Sequence, residues 1–238
     1  MEQGRNFCNK IWNAFRLVKG WSVADKPQPD SARIAVDWFK SQLDATLAEV
    51  SDLFGKFRLS EALMAIYRLF WDEFSSWYLE MVKPAYGEPV DKATYEATLN
   101  YFDTLLRLLH PFMPFITEEI WQALVNDGTA IMVQDYPVYD EKLEFADEEA
   151  TFEKIIAGIK SIRNCRGEMN VPPSVKAKLY IETAQPEVFS QGVMFFERLA
   201  SASEVIITDK CEEKDCAAAV TDLSLIHISE PTRPRLIS

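Results

Sequence analysis

The stretch RNFCNKIWNAFRLVK, residues 5–19, decides how the front of this chain is read. Helical winding turns each residue by about 100°. Phe7, Ile11, Ala14 and Val18 then fall on one side, whereas Arg5, Asn9, Trp12, Arg16 and Lys19 fall within roughly 80° on the opposite side. The apolar stripe needs a core to cover it. The opposite side gathers two guanidinium groups, an ammonium, an amide and an indole. That set offers phosphate pairing, base-edge hydrogen bonding and a stacking plane, which are the means by which single-stranded RNA loops are held. A solvated face has the same composition, and this helix alone leaves both readings open.

Beyond it the chain reads as further helices joined by short breaks. WSVADKPQPD, residues 21–30, has two prolines and two aspartates and reads as a connector. A long helix over residues 31–54 places Ile34, Trp38, Leu43, Leu47, Val50 and Phe54 near helical spacing. A third, from residue 60, carries Leu63, Ile66, Tyr67, Phe70, Phe74, Trp77 and Met81, and Pro84, Gly87 and Pro89 close it. A fourth over residues 93–110 turns Tyr95, Leu99, Phe102, Leu105, Leu106 and Leu109 inward. In HPFMPFITEEIWQAL, residues 110–124, Pro111 and Pro114 force a bend and a restart. Ile116, Ile120, Trp121 and Leu124 then form the next stripe. Glu118 and Glu119 suit a helix start but point about 100° apart, which makes them a poor acid–base pair. The pattern predicts a helical bundle over residues 1–126.

From residue 127 to 147 the periodicity lapses into an acidic, proline-containing connector. Residues 148–166 then give a helix with Phe152, Ile155, Ile156, Ile159 and Ile162 inward, stopped by Pro172 and Pro173. VKAKLYIET at 175–183 alternates as a strand, PEVFSQGVMFFERLA at 186–200 reads as a helix, and EVIIT at 204–208 reads as a second strand. Residues 148–220 therefore form a small α/β unit, with Arg163, Arg166, Lys176 and Lys178 as its basic positions. Arg163 and Arg166 share a helical face, so they serve either a phosphate or an intramolecular pair. LSLIHISEPTRPRLIS at the end follows CAAAV abruptly, and its start looks like a translated sequencing adaptor. The expectation is that residues 221–238 are non-native and outside the fold, which would leave the α/β unit incomplete, with an open sheet edge.

Composition bounds the rest. With 238 residues, 48% of them hydrophobic, the chain can fill real cores. No apolar run approaches the ~18 residues of a membrane span, and the first ten residues lack a signal-peptide core, so the cytoplasm is expected and no membrane partner. Cys8, Cys165, Cys211 and Cys216 are scattered, without the histidine or second pair that a zinc site needs. The net charge of −12 disfavours nucleic acid in bulk, but it is unevenly spread. Residues 1–60 carry nine Lys/Arg against seven Asp/Glu, whereas residues 61–162 carry seven against nineteen. Because exposed charges are screened over about 8 Å, a local basic face can still meet a phosphate backbone.

Three strings carry a resemblance. RNFCNKIWNAFRLVKGW at 5–21, HPFMPFITEEIWQAL at 110–124 and IRNCRGEMNVPPS at 162–174, in this order, resemble the valine–tRNA ligase family of class I aminoacyl-tRNA synthetases. GEMNVPPS favours that family over the isoleucine and leucine enzymes. The resemblance covers only the family's C-terminal part. It implies a mainly α fold, an anticodon-binding helical bundle followed by a small, incomplete α/β domain, and an internal origin for the first methionine. It also implies a partner, tRNA(Val), and carries RNA contact onto Arg5, Asn9, Lys10, Asn13 and Arg16. Trp12 lies in the same pattern, Lys19 extends its basic face, and Trp21, just past the helix, is the preferred stacking aromatic. Asn13 has a second reading as a buried amide tying the bundle together. Arg163 and Arg166 are secondary candidates for RNA contact.

The family's His-Ile-Gly-His signature and Lys-Met-Ser-Lys-Ser loop, which serve ATP chemistry, do not occur in the sequence. Its two histidines are His110, before a proline, and His227, in the suspect tail. No Gly-rich phosphate loop, metal cluster or activated nucleophile is evident. The expectation is a binding part of a ligase in protein biosynthesis: no cofactor of its own, ATP and Mg belonging to the full-length enzyme, and catalytic and editing domains elsewhere in the same polypeptide. The alternative is a free-standing acidic helical interaction protein without RNA binding.

Overall fold

A computed structural model describes residues 2–125, 128–139, 146–172, 174–183, 185–208, 216–220 and 224–229. The expectations for Pro173, Cys211 and residues 126–127, 140–145, 221–223 and 230–238 lie outside the described residues. The fold is mainly α, in two compact units of residues 1–145 and 146–238. Among the described residues no helix is long and apolar enough to cross a membrane.

In the first unit, α1 (Glu2–Lys19) buries Phe7, Ile11, Ala14, Phe15 and Val18. It ends where the Gly20 amide donates back to Arg16 O at 3.1 Å. A two-residue strand β1 (Val23–Ala24) pairs in parallel with β2 (Val90–Asp91), which ties the connector after α1 to the start of α5 (Lys92–Leu109). Asp91, 2% exposed, accepts from the Thr94 amide at 2.8 Å and caps α5. Between them lie α2 (Asp30–Gly55) and α3 (Leu59–Arg68).

The rod that α3 begins is not α-helical throughout. Leu69–Tyr78 winds as a π-helix before α4 (Leu79–Val82) resumes. Phe70, Phe74 and Tyr78 step by four, a spacing that keeps them on one side of the rod in either winding. All three are buried, and the Ser76 hydroxyl donates to Trp71 O at 2.8 Å across the widened turn. Phe39 of α2 meets Phe74, Tyr78 and Tyr101 with centroids 5.2, 5.0 and 5.0 Å apart. Phe102 meets Phe15, Phe70 and Phe74 edge-on. Burying each ring contributes roughly 1.5–3 kcal/mol, so this cluster dominates the core.

The string at 110–124 is a packing device. Pro114 opens α6 (Pro114–Val125). The buried Thr117 hydroxyl bonds to His110 Nδ1 at 2.8 Å, and Trp121 Nε1 donates to Asp103 Oδ1 at 2.7 Å. Asp103 Oδ2 accepts from Arg107 at 2.6 Å. Residues 128–139, read from sequence as connector, fold onto this unit. Ile131 is 2% exposed with its amide donating to Glu118 at 3.0 Å, and the Tyr136 hydroxyl reaches Leu108 O at 3.4 Å.

The second unit begins with α7 (Ala146–Glu168), followed by β3 (Ala177–Thr183), α8 (Pro186–Gln191), α9 (Val193–Leu199), β4 (Ala202–Thr208), β5 (Ala217–Val220) and β6 (Ser224–Ser229). The single helix expected over 186–200 is broken at Gly192. A Cβ there would lie 2.9 Å from Ile155 of α7, so the break lets the backbone approach. The sheet order is β4-β3-β6-β5, with β3 parallel to β4 and antiparallel to β6.

One correction concerns the tail. Residues 224–229, expected outside the fold, form β6 between β3 and β5, so β3 has no open edge along that register. SLIHIS alternates, and Ile226 and Ile228 are fully buried opposite Ile181 and Leu179. That two-residue period is what a half-buried strand requires, whatever the origin of the segment.

Candidate nucleic-acid interface

Packing fixes the orientation of α1. Because Phe7 lies among Tyr67, Phe70 and Trp71, with centroids 4.7, 5.7 and 6.2 Å away, the opposite face is turned to solvent. Arg5, Asn9, Trp12, Asn13, Arg16 and Lys19 are all exposed, while Lys10 and Trp21 are half-buried. The buried-amide reading of Asn13 therefore does not hold. Trp12, 38% exposed with its ring 5.6 Å from Phe15, is the more open of the two indoles. Lys19 Nζ sits 5.3 Å from the Phe15 ring.

Beside this face runs a cleft of about 390 Å³. One wall is Asn6, Asn9, Lys10, Asn13, Ala14 and Leu17 of α1; the other is Ser75, Leu79 and Glu80. It presents amides, a hydroxyl and a carboxylate above aliphatic side chains. Asn6, Ser75 and Glu80 were missed by sequence reasoning. Asn6 lies inside the quoted string and could have been included; Ser75 and Glu80 carry no local signal, because which side of the third helix faces α1 is settled only by packing.

Among the described residues of the first unit, several cations pair with carboxylates, while Lys26 donates to Pro89 O at 2.7 Å. Arg33 pairs with Asp30 and Asp37, Lys56 with Asp52, Arg58 with Glu61 and Arg68 with Glu49. Lys83, Lys92 and Arg107 pair with Glu80, Glu96 and Asp103. On α1, Arg5, Arg16 and Lys19 make no ion pair among the described residues. Lys10 turns inward instead. Its Nζ donates to Ser76 Oγ at 3.1 Å and lies 4.2 Å from the Trp71 centroid. Burial lowers its pKa, against an opposing pull from Asp72.

Arg163 and Arg166 are differently placed. Arg166, 5% exposed, donates to Ala200 O at 3.1 Å, Ser201 O at 3.3 Å and Val175 O. Arg163 Nε donates to Leu199 O at 2.7 Å. The Arg166 guanidinium closes α7 onto the loops before β3 and β4 through backbone carbonyls. These carbonyls lie in the turns that lead into β3 and β4, where Ser201 O also accepts from the Ala177 amide at 3.2 Å, and a guanidinium with several donors can bond to more than one of them.

Comparison with known proteins adds the following. Residues 37–181 match the family described as the anticodon-binding domain of tRNA ligase; α1 lies ahead of that span. The chain is 53% identical over 228 residues to a valine–tRNA ligase of Parabacteroides distasonis, covering 93% of this chain and 25% of that protein. It is 64% identical over 165 residues to that of Phocaeicola vulgatus, covering 68% of this chain and 19% of that protein. For Porphyromonas gingivalis the figures are 56% over 184 residues, 76% and 20%. The chain thus spans a quarter or less of the length of these curated relatives, in their C-terminal part. Nothing in these matches supports the free-standing acidic interaction protein.

Proposed function

We propose that this chain, which belongs to the anticodon-binding domain family of tRNA ligases, is the part of a valine–tRNA ligase that holds the anticodon stem and loop of tRNA(Val) on the outward face of α1. One observation carries this reading. In a unit where Arg33, Lys56, Arg58, Arg68, Lys83, Lys92 and Arg107 are paired with carboxylates, Arg5 and Arg16 are exposed, and neither forms an ion pair among the described residues. Charges left unpaired in an acidic protein suit a phosphate backbone, whose counterions they displace. The amides of Asn9 and Asn13 and the open Trp12 ring supply base-edge hydrogen bonds and a stacking plane beside them.

The role is differential binding. Holding the anticodon positions the acceptor end of the tRNA for a remote site, so the contact contributes to the rate by orientation. ATP- and Mg-dependent aminoacylation would belong to the rest of such a ligase, and this chain alone is expected to give no valine-dependent ATP–pyrophosphate exchange. Binding of the tRNA(Val) anticodon stem-loop, followed by fluorescence anisotropy between low and physiological salt, tests the interface. The Arg5→Ala, Arg16→Ala double variant is expected to bind more weakly, with a log–log salt slope shallower by about 1.4. Unchanged affinity and slope would remove the proposed face.

A further inference from the structure

The cleft beside α1 depends on one side chain that sequence reasoning grouped with the phosphate-binding cations. Lys10, on the α1 wall of the cleft, places Nζ 4.2 Å from the Trp71 centroid and donates to Ser76 Oγ at 3.1 Å. Ser76 in turn donates to Trp71 O at 2.8 Å, so hydroxyl, ring and ammonium form one closed contact within the π-helical segment. Trp71 is also stacked on Tyr67, with centroids 5.4 Å apart at 17°. The opposite cleft wall, Ser75, Leu79 and Glu80, is borne by this same segment and the turn after it.

A π-helix is an uncommon winding that persists where tertiary contacts fix it. A half-buried ammonium facing an indole and a hydroxyl has exchanged much of its water for these two partners, a geometry in which a cation–π contact strengthens. We propose that Lys10 is a positioning residue: it fastens the π-helical wall of the cleft to α1 and so sets the cleft's shape for RNA, without itself neutralising a phosphate. This rests on the reading of α1 as the anticodon-binding face. It separates Lys10 from Arg5 and Arg16, which act as charges at the surface.

The two roles differ in what they do to salt dependence. Loss of a phosphate contact flattens the log–log slope by about 0.7, whereas loss of shape lowers affinity without changing the number of counterions released. Stem-loop affinity is measured across salt for Lys10→Met, Ser76→Ala, the double variant and Arg16→Ala, with the folded fraction of each checked by circular dichroism. Lys10→Met and Ser76→Ala are each expected to weaken binding by about three- to tenfold at constant slope and, because they remove the same contact, to be non-additive together. Arg16→Ala alone should flatten the slope. A Lys10→Met slope shallower by about 0.7, unchanged affinity, or additive losses would overturn the assignment.

Amide exchange decides the fastening without RNA. In Lys10→Met, residues 71–79 are expected to exchange about tenfold faster than in the wild type, with α5 unchanged. Equal protection would overturn the role. If the wild-type chain bound no stem-loop, the interface reading would fall while the exchange result still judged Lys10.

Discussion

Arg5 and Arg16 on α1, and Arg163 and Arg166 on α7, look alike in sequence: basic pairs on amphipathic helices, each inside a string typical of the family. In the folded chain they are opposites. Arg5 and Arg16 are exposed and lack ion pairs among the described residues, whereas Arg166 is 5% exposed and spans the carbonyls of Ala200, Ser201 and Val175. What separates them is the neighbourhood of each helix. Around α7, loops before two strands turn backbone carbonyls toward the helix, and a guanidinium with five donors bonds to several at once. Around α1, the covering elements present aromatic side chains to its apolar face and leave its basic face open.

The strongest test of that contrast removes a whole strand. β6 lies between β3 and β5, so deleting residues 221–238 takes a partner from both. The second unit should lose its cooperative fold, seen as rapid amide exchange and proteolysis beyond residue 146, while stem-loop binding through α1 persists. A protected second unit after deletion would show that β6 is dispensable. Next in size is Arg166→Met, which strands buried carbonyls and should destabilise the second unit by about 3 kcal/mol in urea unfolding. RNA affinity measured below that transition should be unchanged. A fall in affinity with a shallower salt slope would instead make Arg166 a phosphate ligand and erase the difference between the two pairs.

How legible this was depended on whether the signal was local. The helices of the first unit follow from apolar spacing and proline stops: Phe7, Ile11, Ala14 and Val18 are buried as their period requires. The Trp121 and Thr117 contacts explain why HPFMPFITEEIWQAL is so specific a string, yet neither partner, Asp103 nor His110, can be paired with them from spacing. The π-helical winding was not legible, because the same aromatic spacing is tolerated by an α-helix until tertiary contacts choose. Ser75 and Glu80 were missed for that reason. The pairing of residues 224–229 was legible in their pattern: SLIHIS has the alternation of a strand, and a segment with that pattern pairs wherever an edge is offered, whatever its origin.

On the α1 side, the contrast between the two indoles gives a smaller effect. Trp12 is exposed and Trp21 half-buried. Trp12→Ala should therefore cost stem-loop binding about 1–2 kcal/mol, within the range of base stacking. Trp21→Ala should cost less in binding and more in thermal stability. The reverse order would restore Trp21 as the stacking residue and place the RNA nearer the end of α1 than its middle.

Alkaline pH separates the two units most gently, and from the other direction. Burial raises the Tyr78 hydroxyl pKa, with Thr98 opposing through a 2.8 Å hydrogen bond and Asp91 reinforcing the rise. Burial likewise raises Tyr101, reinforced by Tyr78, Asp37 and Asp44, and pushes Tyr136 up to about 12. An unfolded tyrosine titrates near pH 10. Above that value the unfolded chain has lost protons that the folded first unit still holds, so the folded state binds more protons and stability must fall as pH rises. Below pH 10 these groups contribute a constant term. The urea midpoint of the first unit should accordingly stay level up to roughly pH 9 and decline above pH 10 as the unfolded tyrosines ionise, with Tyr101→Phe declining less steeply than the wild type. A parallel decline in Tyr101→Phe would remove that hydroxyl as a cause, since phenylalanine retains the ring packing against Phe39 and loses only the titrating proton and its bond to Val36 O.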